Sequence, residues 1–383
     1  MASHGVARPA TVIPRTKQEK ESEQKEITKY KELENTIRVK AAEHLYTSNL
    51  LDLTSKLLKK NPEYYTLWNI RRRILILGLF SNLQTSSQFI ESSKQSLNIT
   101  LASEAISSKH NEEKKNHVFD LISADLRFLV PIMLRFPKCY WLWNYRLWLL
   151  EQANERLDLR ISRDLWNSEL NLVGKMLVKD SRNFHGWGYR REVISQLESS
   201  RLDGKSMVET EFEYTTKMIH ALNGLSNFSA WHRRSKLIPQ LLMKRNSDST
   251  ARRQFLDDEF ELIISAIYTD SYPYQQSAWF YYQFLMTIIT EPGGCQVVLD
   301  FTVDDRCKYV RRQLDVLKEM LDGAEDCKWI YNAAIDYSFA LCLLENRTLQ
   351  PEERMDCLTW LNELKKLDPY RKGRWSDLEK RVV

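Results

Sequence analysis

Histidine and cysteine are the side chains best suited to acid–base, nucleophilic or metal chemistry, and here they are scattered along the chain. The histidines stand at positions 4, 44, 110, 117, 185, 220 and 232, and no two of the six cysteines have CxxC spacing. The sequence also lacks a glycine-rich phosphate loop, an HExxH motif and a GxSxG motif. We therefore expect no self-contained catalytic set, so any chemistry involving this chain needs a partner.

Tryptophan and arginine, in contrast, recur in a fixed pattern. Five segments align without gaps: NPEYYTLWNIRR, FPKCYWLWNYRL, DSRNFHGWGYRR, GLSNFSAWHRRS and YPYQQSAWFYYQ. Their tryptophans are Trp68, Trp143, Trp187, Trp231 and Trp279, at intervals of 75, 44, 44 and 48 residues. In four segments an arginine follows the tryptophan by three positions: Arg71, Arg146, Arg190 and Arg234. In four an aromatic residue precedes it by three: Tyr65, Tyr140, Phe184 and Phe228.

The elements that position these residues are predicted to be helices. Apolar residues before each segment have helical spacing, as at Leu170, Met176 and Leu177. Proline, or serine with asparagine, then ends the helix, and the tryptophan segment begins a second one. The unit is a helical hairpin of about 44 residues. We predict an all-α fold, a right-handed α-α superhelix in which hairpins stack as a crescent.

Within such a hairpin, the repeated tryptophan is interpreted as a core residue at the junction, where its indole N–H can reach a carbonyl. The arginine one turn later is interpreted as the partner of an acidic residue in a neighbouring repeat, lining the inner face. On these readings alone, the chain would be a scaffold that binds another protein.

Composition and charge exclude several classes of protein. The 11 glycines and 10 prolines are too few to form the turns of a sandwich or barrel of 383 residues. The net charge of +5 and the pI near 8.7 are below the strongly basic range of nucleic-acid binders, so no nucleic acid is expected. The most apolar run, residues 74–80, is far too short for a membrane span. Reduced thiols and the lack of a signal peptide predict a cytoplasmic protein.

The repeats define a single predicted domain, residues 15–383, after a flexible N-terminus of residues 1–14. The first interval is longer than the others because a serine-rich surface insertion falls at about 81–115. After Trp279, apolar helices near 310–321, 329–344 and 355–367 are predicted to be degenerate repeats that close the solenoid.

This pattern resembles the repeats of the protein prenyltransferase α subunits over nearly the whole chain. NFHGWGYRR from Asn183, SNFSAWHRRS from Ser226 and QSAWFY from Gln276 are similar to the Rab geranylgeranyltransferase (type II) branch rather than to the farnesyltransferase branch. Animal members of that branch carry an additional immunoglobulin-like domain and leucine-rich repeats. This chain has neither the length nor the strand signals for them, so it resembles the compact fungal form.

The resemblance implies an enzyme that is active only as a heterodimer with a prenyltransferase β subunit. In that family, zinc is bound by the β subunit, so no metal ligand is expected in this chain. The reaction transfers geranylgeranyl from geranylgeranyl diphosphate to C-terminal cysteines of Rab GTPases, which Rab escort protein presents. This implies a role in vesicular transport.

The resemblance also assigns site residues. Lys138, five residues before Trp143, matches a family lysine that reaches the isoprenoid diphosphate. The other repeats have Glu63, Arg182, Ser226 and Tyr274 at that position, so the hairpin itself does not require lysine. Four further residues match positions that line the rim of the active site: Tyr140, Asn183, Phe184 and His185. Phe184 lacks the hydroxyl that the farnesyl branch has at its position.

Two alternatives remain open on the sequence alone. One is the α subunit shared by farnesyltransferase and type I geranylgeranyltransferase, which co-expression with each β subunit would separate. The other is a non-enzymatic helical-repeat scaffold, which would behave normally alone and lack transfer activity.

Overall fold

The computed structural model describes residues 16–81, 100–269, 275–291 and 297–382. Those ranges contain helices and turns but no strand, so the predicted all-α fold is confirmed. The chain forms two compact units, Met1–Lys205 and Ser206–Val383. The predicted flexible N-terminus lies outside the described residues, as do residues 82–99 of the predicted insertion. The remainder of that insertion, from Thr100, forms the start of a long helix.

The first unit contains seven α-helices within its described residues. They are α1 (Lys17–Ala42), α2 (Ser48–Lys60), α3 (Tyr65–Arg73), α4 (Thr100–Arg135), α5 (Tyr140–Arg156), α6 (Leu159–Lys179) and α7 (Phe184–Glu198). A π-helical turn, Ile74–Leu79, continues α3. Helices α2/α3, α4/α5 and α6/α7 pack as successive hairpins, and α1 packs on α2.

The second unit, described by itself, also consists of helical hairpins. Its described helices are α8 (Val208–His220), α9 (Phe228–Lys244), α10 (Ser249–Tyr268), α11 (Gln276–Thr290), α12 (Val303–Leu321), α13 (Lys328–Leu344), α14 (Pro351–Leu367) and α15 (Lys372–Val382). They pack as the hairpins α8/α9, α10/α11, α12/α13 and α14/α15. The predicted α-α repeat is therefore present in both units.

The second helix of each hairpin begins at the same position of the repeat. Helices α3, α5, α7 and α9 all start at the aromatic residue three positions before the tryptophan. In α7 and α9 an asparagine just before the helix accepts hydrogen bonds from free backbone N–H groups, which stabilises the start: Asn183 and Asn227. The motif therefore determines where the turn between the two helices of these hairpins ends.

Buried indoles join each turn to its helix. Four tryptophans donate from Nε1 to the backbone carbonyl six residues earlier, at 2.8 to 3.0 Å: Trp68, Trp143, Trp187 and Trp231. Each therefore contributes a large apolar surface while its one polar group is satisfied. Trp279 is buried as well.

The C-terminal hairpins keep this geometry with altered residues. Tyr331 lies at the tryptophan position of α13, and its hydroxyl donates to the carbonyl of Glu325, again six residues earlier, at 2.9 Å. Trp375, 44 residues after Tyr331, is buried in α15 and donates to the carbonyl of Asp368. The alignment of the five tryptophan segments did not include Tyr331 and Trp375, because the residues around them differ from the motif.

Candidate functional site

Buried ion pairs link three of the hairpins to the next hairpin along the chain. Arg71 of α3 donates through Nε to both carboxylate oxygens of Asp125 in α4, at 3.1 and 3.0 Å. The same contact recurs between Arg146 and Glu169, and between Arg234 and Glu259. The repeated arginines are only 2–5% exposed, so they do not line an open inner face as the sequence suggested. Burial follows because each carboxylate lies on the packed face of the next helix.

A tyrosine completes these networks. Two residues after the next tryptophan, Tyr145 donates its hydroxyl to Asp125 and Tyr189 to Glu169, both at 2.6 Å. Tyr281 does the same to Glu259. Burial raises the pKa of Tyr189 well above its usual value, and the Glu169 carboxylate raises it further. These tyrosines are therefore neutral donors with a structural role.

Sequence reasoning predicted the ion pairs but missed the acidic and tyrosine partners. A signal was available, because Asp125 and Glu169 each stand 18 residues before the next tryptophan, within an otherwise apolar helix face. The tyrosine two residues after the tryptophan was visible in three of the five segments. A charged residue on a buried face is informative because it needs a partner.

Lys138 lies in the turn between α4 and α5, with its side chain 47% exposed. Its Nζ is 4.0 Å from Oδ2 of Asp180, in the turn between α6 and α7. Its charge also acts on the ring of His185, as does that of Glu63 in the turn between α2 and α3. Charged groups from three successive turns therefore meet at one edge of the first unit.

Three of the four predicted rim residues lie beside this edge. The ring centroids of Tyr140 and His185 are 6.3 Å apart, and those of Phe184 and His185 are 3.9 Å apart. Asn183 differs, because it is buried and its amide groups are used within the chain. Its Nδ2 donates to the carbonyl of Pro137 at 3.1 Å, and its Oδ1 caps α7. Asn183 thus holds two turns together beneath the rim.

An exposed aromatic row extends the rim. Trp141, which sequence reasoning missed, lies between Tyr65 and Tyr140, tilted against the first ring and edge-on to the second, with 5.4 Å between ring centroids on each side. Tyr65 and Tyr140 are each 54% exposed and Phe184 is 70% exposed. Large exposed aromatic side chains side by side are typical of a protein interface or a ligand surface.

Cys139, the cysteine next to Lys138, is not a reactive thiolate. Burial raises the pKa of the Cys139 thiol, beside Lys138, to about 12, so it is neutral near pH 7. No group of three histidine, cysteine, aspartate or glutamate side chains that could hold a metal ion occurs among the described residues. What this edge offers is a positioned ammonium group, a weakly basic imidazole and aromatic surface, which suits binding an anion that carries an apolar chain.

The rim geometry predicts how His185 titrates. Burial lowers the pKa of His185 below 6.5, the nearby Lys138 lowers it further and Glu63 raises it. In the isolated chain we expect Lys138→Met to raise the pKa of His185 and Glu63→Gln to lower it, as measured by NMR of the imidazole. Equal pKa values in both variants and the parent would contradict this arrangement.

The same shift has a consequence for stability. Because the folded pKa lies below the unfolded value of 6.5, the unfolded chain binds the proton first as pH falls. The contribution of His185 to the free energy of unfolding is therefore full above pH 6.5 and decreases until the folded pKa is passed. His185→Gln should remove that part of the pH dependence.

No helix within the four described ranges combines the length and apolar character needed to cross a membrane. The five described cysteines are buried and form no disulfide.

Comparison with known proteins identifies the repeat. The family described as "Protein prenyltransferase alpha subunit repeat" matches residues 47–76, 122–153 and 166–197. Geranylgeranyl transferase type-2 subunit alpha of Schizosaccharomyces pombe is 31% identical over 387 residues, covering 99% of this chain and 98% of that protein. The Saccharomyces cerevisiae protein of the same name is 29% identical over 385 residues, covering 98% of each.

A mammalian relative is similar over a smaller part. Geranylgeranyl transferase type-2 subunit alpha of Rattus norvegicus is 33% identical over 240 residues, which is 62% of this chain and 34% of that protein. Among solved structures, a chain of Candida albicans protein geranylgeranyltransferase-I complexed with GGPP superposes with a TM-score of 0.57. That match covers 100% of this chain and 96% of the other at 16% identity, so it speaks to the fold alone.

Proposed function

Because the chain belongs to the protein prenyltransferase α-subunit family, we propose that it is the α subunit of a Rab geranylgeranyltransferase. The observation that carries this proposal is similarity along almost the entire length of fungal proteins named geranylgeranyl transferase type-2 subunit alpha. The motifs that resemble the type II branch, at or near the starts of α7, α9 and α11, lie within the length covered by that similarity.

The proposed enzyme transfers a geranylgeranyl group to C-terminal cysteines of Rab GTPases presented by Rab escort protein. A cysteine thiolate attacks C1 of geranylgeranyl diphosphate, the new S–C1 bond forms, and diphosphate leaves with the electron pair of the C1–O bond. The β subunit would bind zinc and the lipid, since this chain offers only a rim to the reaction. The complex would act in the cytoplasm.

In this proposal Lys138 contacts the diphosphate. Negative charge grows on the leaving group in the transition state, where a positioned cation stabilises it most. The lysine is exposed, lies at the edge where three turns meet, and pairs with Asp180 only at 4.0 Å, so its ammonium group can turn to a ligand. Tyr140, Phe184 and His185 would border the same ligand, while Asn183 fixes the turns that carry them.

The test is co-expression with each candidate β subunit, followed by a zinc assay and a transfer assay. We expect a stable heterodimer with the type II β subunit, burying more than ~2,000 Å². Zinc should co-purify with the heterodimer and not with this chain alone, and a Rab should be modified only when its escort protein is present.

Two results would contradict the proposal in different ways. Stable association with the β subunit of farnesyltransferase would identify the shared α subunit instead. A well-folded monomer that binds no β subunit would indicate that the chain is a non-enzymatic scaffold.

A further inference from the structure

A groove runs along α5 and α7, the second helices of two hairpins of the first unit, and Arg72 is the residue of α3 that lines it. Its volume is about 720 Å³, and residues of α3, α5 and α7 line it. One end lies at the rim residues Tyr140, Phe184 and His185, and the other at Glu151 and Glu192. Tyr140 and Glu151 are eleven positions apart in α5, which is about 16 Å along the helix. The groove is thus much longer than a diphosphate.

Two arginines line this groove, Arg72 of α3 and Arg191 of α7, and Arg72 is the half-buried one held by defined contacts. Arg72 lies over the rings of Tyr145 and Trp148, with its Cζ 5.4 and 5.5 Å from their centroids. It donates to the amide oxygens of Asn69 at 2.9 Å and Asn144 at 3.2 Å. Stacking and these two hydrogen bonds hold the guanidinium in place while leaving further N–H groups available.

The charge of Arg72 is not matched by an acidic partner. No carboxylate of the described residues lies within ion-pair distance of it, whereas Arg71, the preceding residue, is paired with Asp125. Burial lowers the pKa of Arg72, which means that the protein environment disfavours its charged form. Glu151 acts on it only from a greater distance. A half-buried cation held in this way is a site that lacks its anion.

The walls of the groove favour a protein segment as the source of that anion. Leu147 and Trp148 supply apolar surface at its centre, and exposed Tyr140 and Phe184 continue it at the rim. Aromatic residues and arginine are the residues enriched at the centres of protein interfaces. A small inorganic anion would use the guanidinium and leave the aromatic surface exposed.

We propose that this groove receives a segment of the β subunit that places an aspartate or glutamate side chain on Arg72. The inference rests on the proposed function, which supplies the partner, and adds the surface and the chemistry of the contact. The position of the groove supports this choice, because one end of it is formed by the rim residues Tyr140, Phe184 and His185. A β subunit that binds beside Lys138 would therefore also lie next to the groove.

Arg72→Gln in the full chain, co-expressed with the type II β subunit, tests the contact. We expect the affinity for the β subunit to fall by about 10- to 100-fold, measured by competition at fixed salt, as for loss of a charge-assisted hydrogen bond. The matched control is Arg73→Gln, one residue along on an exposed position outside the groove lining. The isolated Arg72→Gln chain should unfold at the same temperature as the parent or higher, because an unmatched charge has been removed.

The outcomes separate this inference from the proposed function. If the parent binds the β subunit and Arg72→Gln binds equally well, the contact is wrong and the proposed function stands. If the parent binds no β subunit, both are wrong. If the isolated chain binds inorganic diphosphate and Arg72→Gln abolishes that binding without changing the affinity for the β subunit, the groove is a small-anion site instead.

Discussion

The proposed heterodimer carrying Lys138→Ala is expected to transfer geranylgeranyl about 10² to 10³ times more slowly than the parent, the range seen on removing one transition-state donor. The reason is that the leaving diphosphate gains negative charge as the C1–O bond breaks. A cation held at the rim before the reaction stabilises that charge without reorganisation. The measurement is kcat at saturating lipid diphosphate and saturating Rab complex.

Assembly should survive this substitution, because Lys138 lies in an exposed turn and makes only a distant contact with Asp180. Arg182→Ala is the matched control: it removes an exposed cation at the same repeat position of the next turn. We expect Arg182→Ala to keep kcat near that of the parent. Equal kcat in Lys138→Ala and the parent would show that Lys138 does not stabilise the leaving diphosphate.

Replacing Arg146 by alanine is expected to lower the free energy of unfolding by about 3 to 5 kcal/mol, the range for breaking a buried ion pair by removing one partner. Glu169 would remain buried with only Tyr189 to donate to it, and the carbonyl of Leu126 would lose a donor at 2.7 Å. Burial by itself lowers the pKa of Arg146, yet Glu169 raises it above the usual value, so the ion pair offsets the cost of burying the charge. Chemical denaturation followed by circular dichroism measures the loss.

A combined variant distinguishes the charge from the fold. Arg146→Met, Glu169→Leu and Tyr189→Phe together remove all three polar groups, so no charge is left buried and alone. We expect this triple variant to lose less stability than Arg146→Ala, and exposed Arg160→Ala to lose almost none. A triple variant less stable than Arg146→Ala would show that the network stabilises the chain in its own right.

Much of the fold could be predicted because the residues of the repeat mark where its helices begin and end. The aromatic, tryptophan and arginine positions marked the start of each second helix, and the observed helices α3, α5, α7 and α9 begin there. Of the last two hairpins, α12, α13 and α14 were predicted as apolar helices and α15 was not predicted, because Tyr331 and Trp375 lack the flanking motif. The candidate site was assigned by resemblance, and spacing alone would not have selected Lys138 from 56 lysines and arginines.

The sequence by itself determined the hairpin period, the all-α class and the family, because each depends on residues close together in the chain. Only the tertiary structure decided which charges meet. Arg71 pairs with Asp125, which is 54 residues away in the sequence. Lys138, in the turn between α4 and α5, lies near Asp180 and His185 at the turn between α6 and α7. Two adjacent arginines, Arg71 and Arg72, look equivalent in the sequence. Packing pairs the first with a buried carboxylate and leaves the second in an open groove, because consecutive residues of a helix point to different faces.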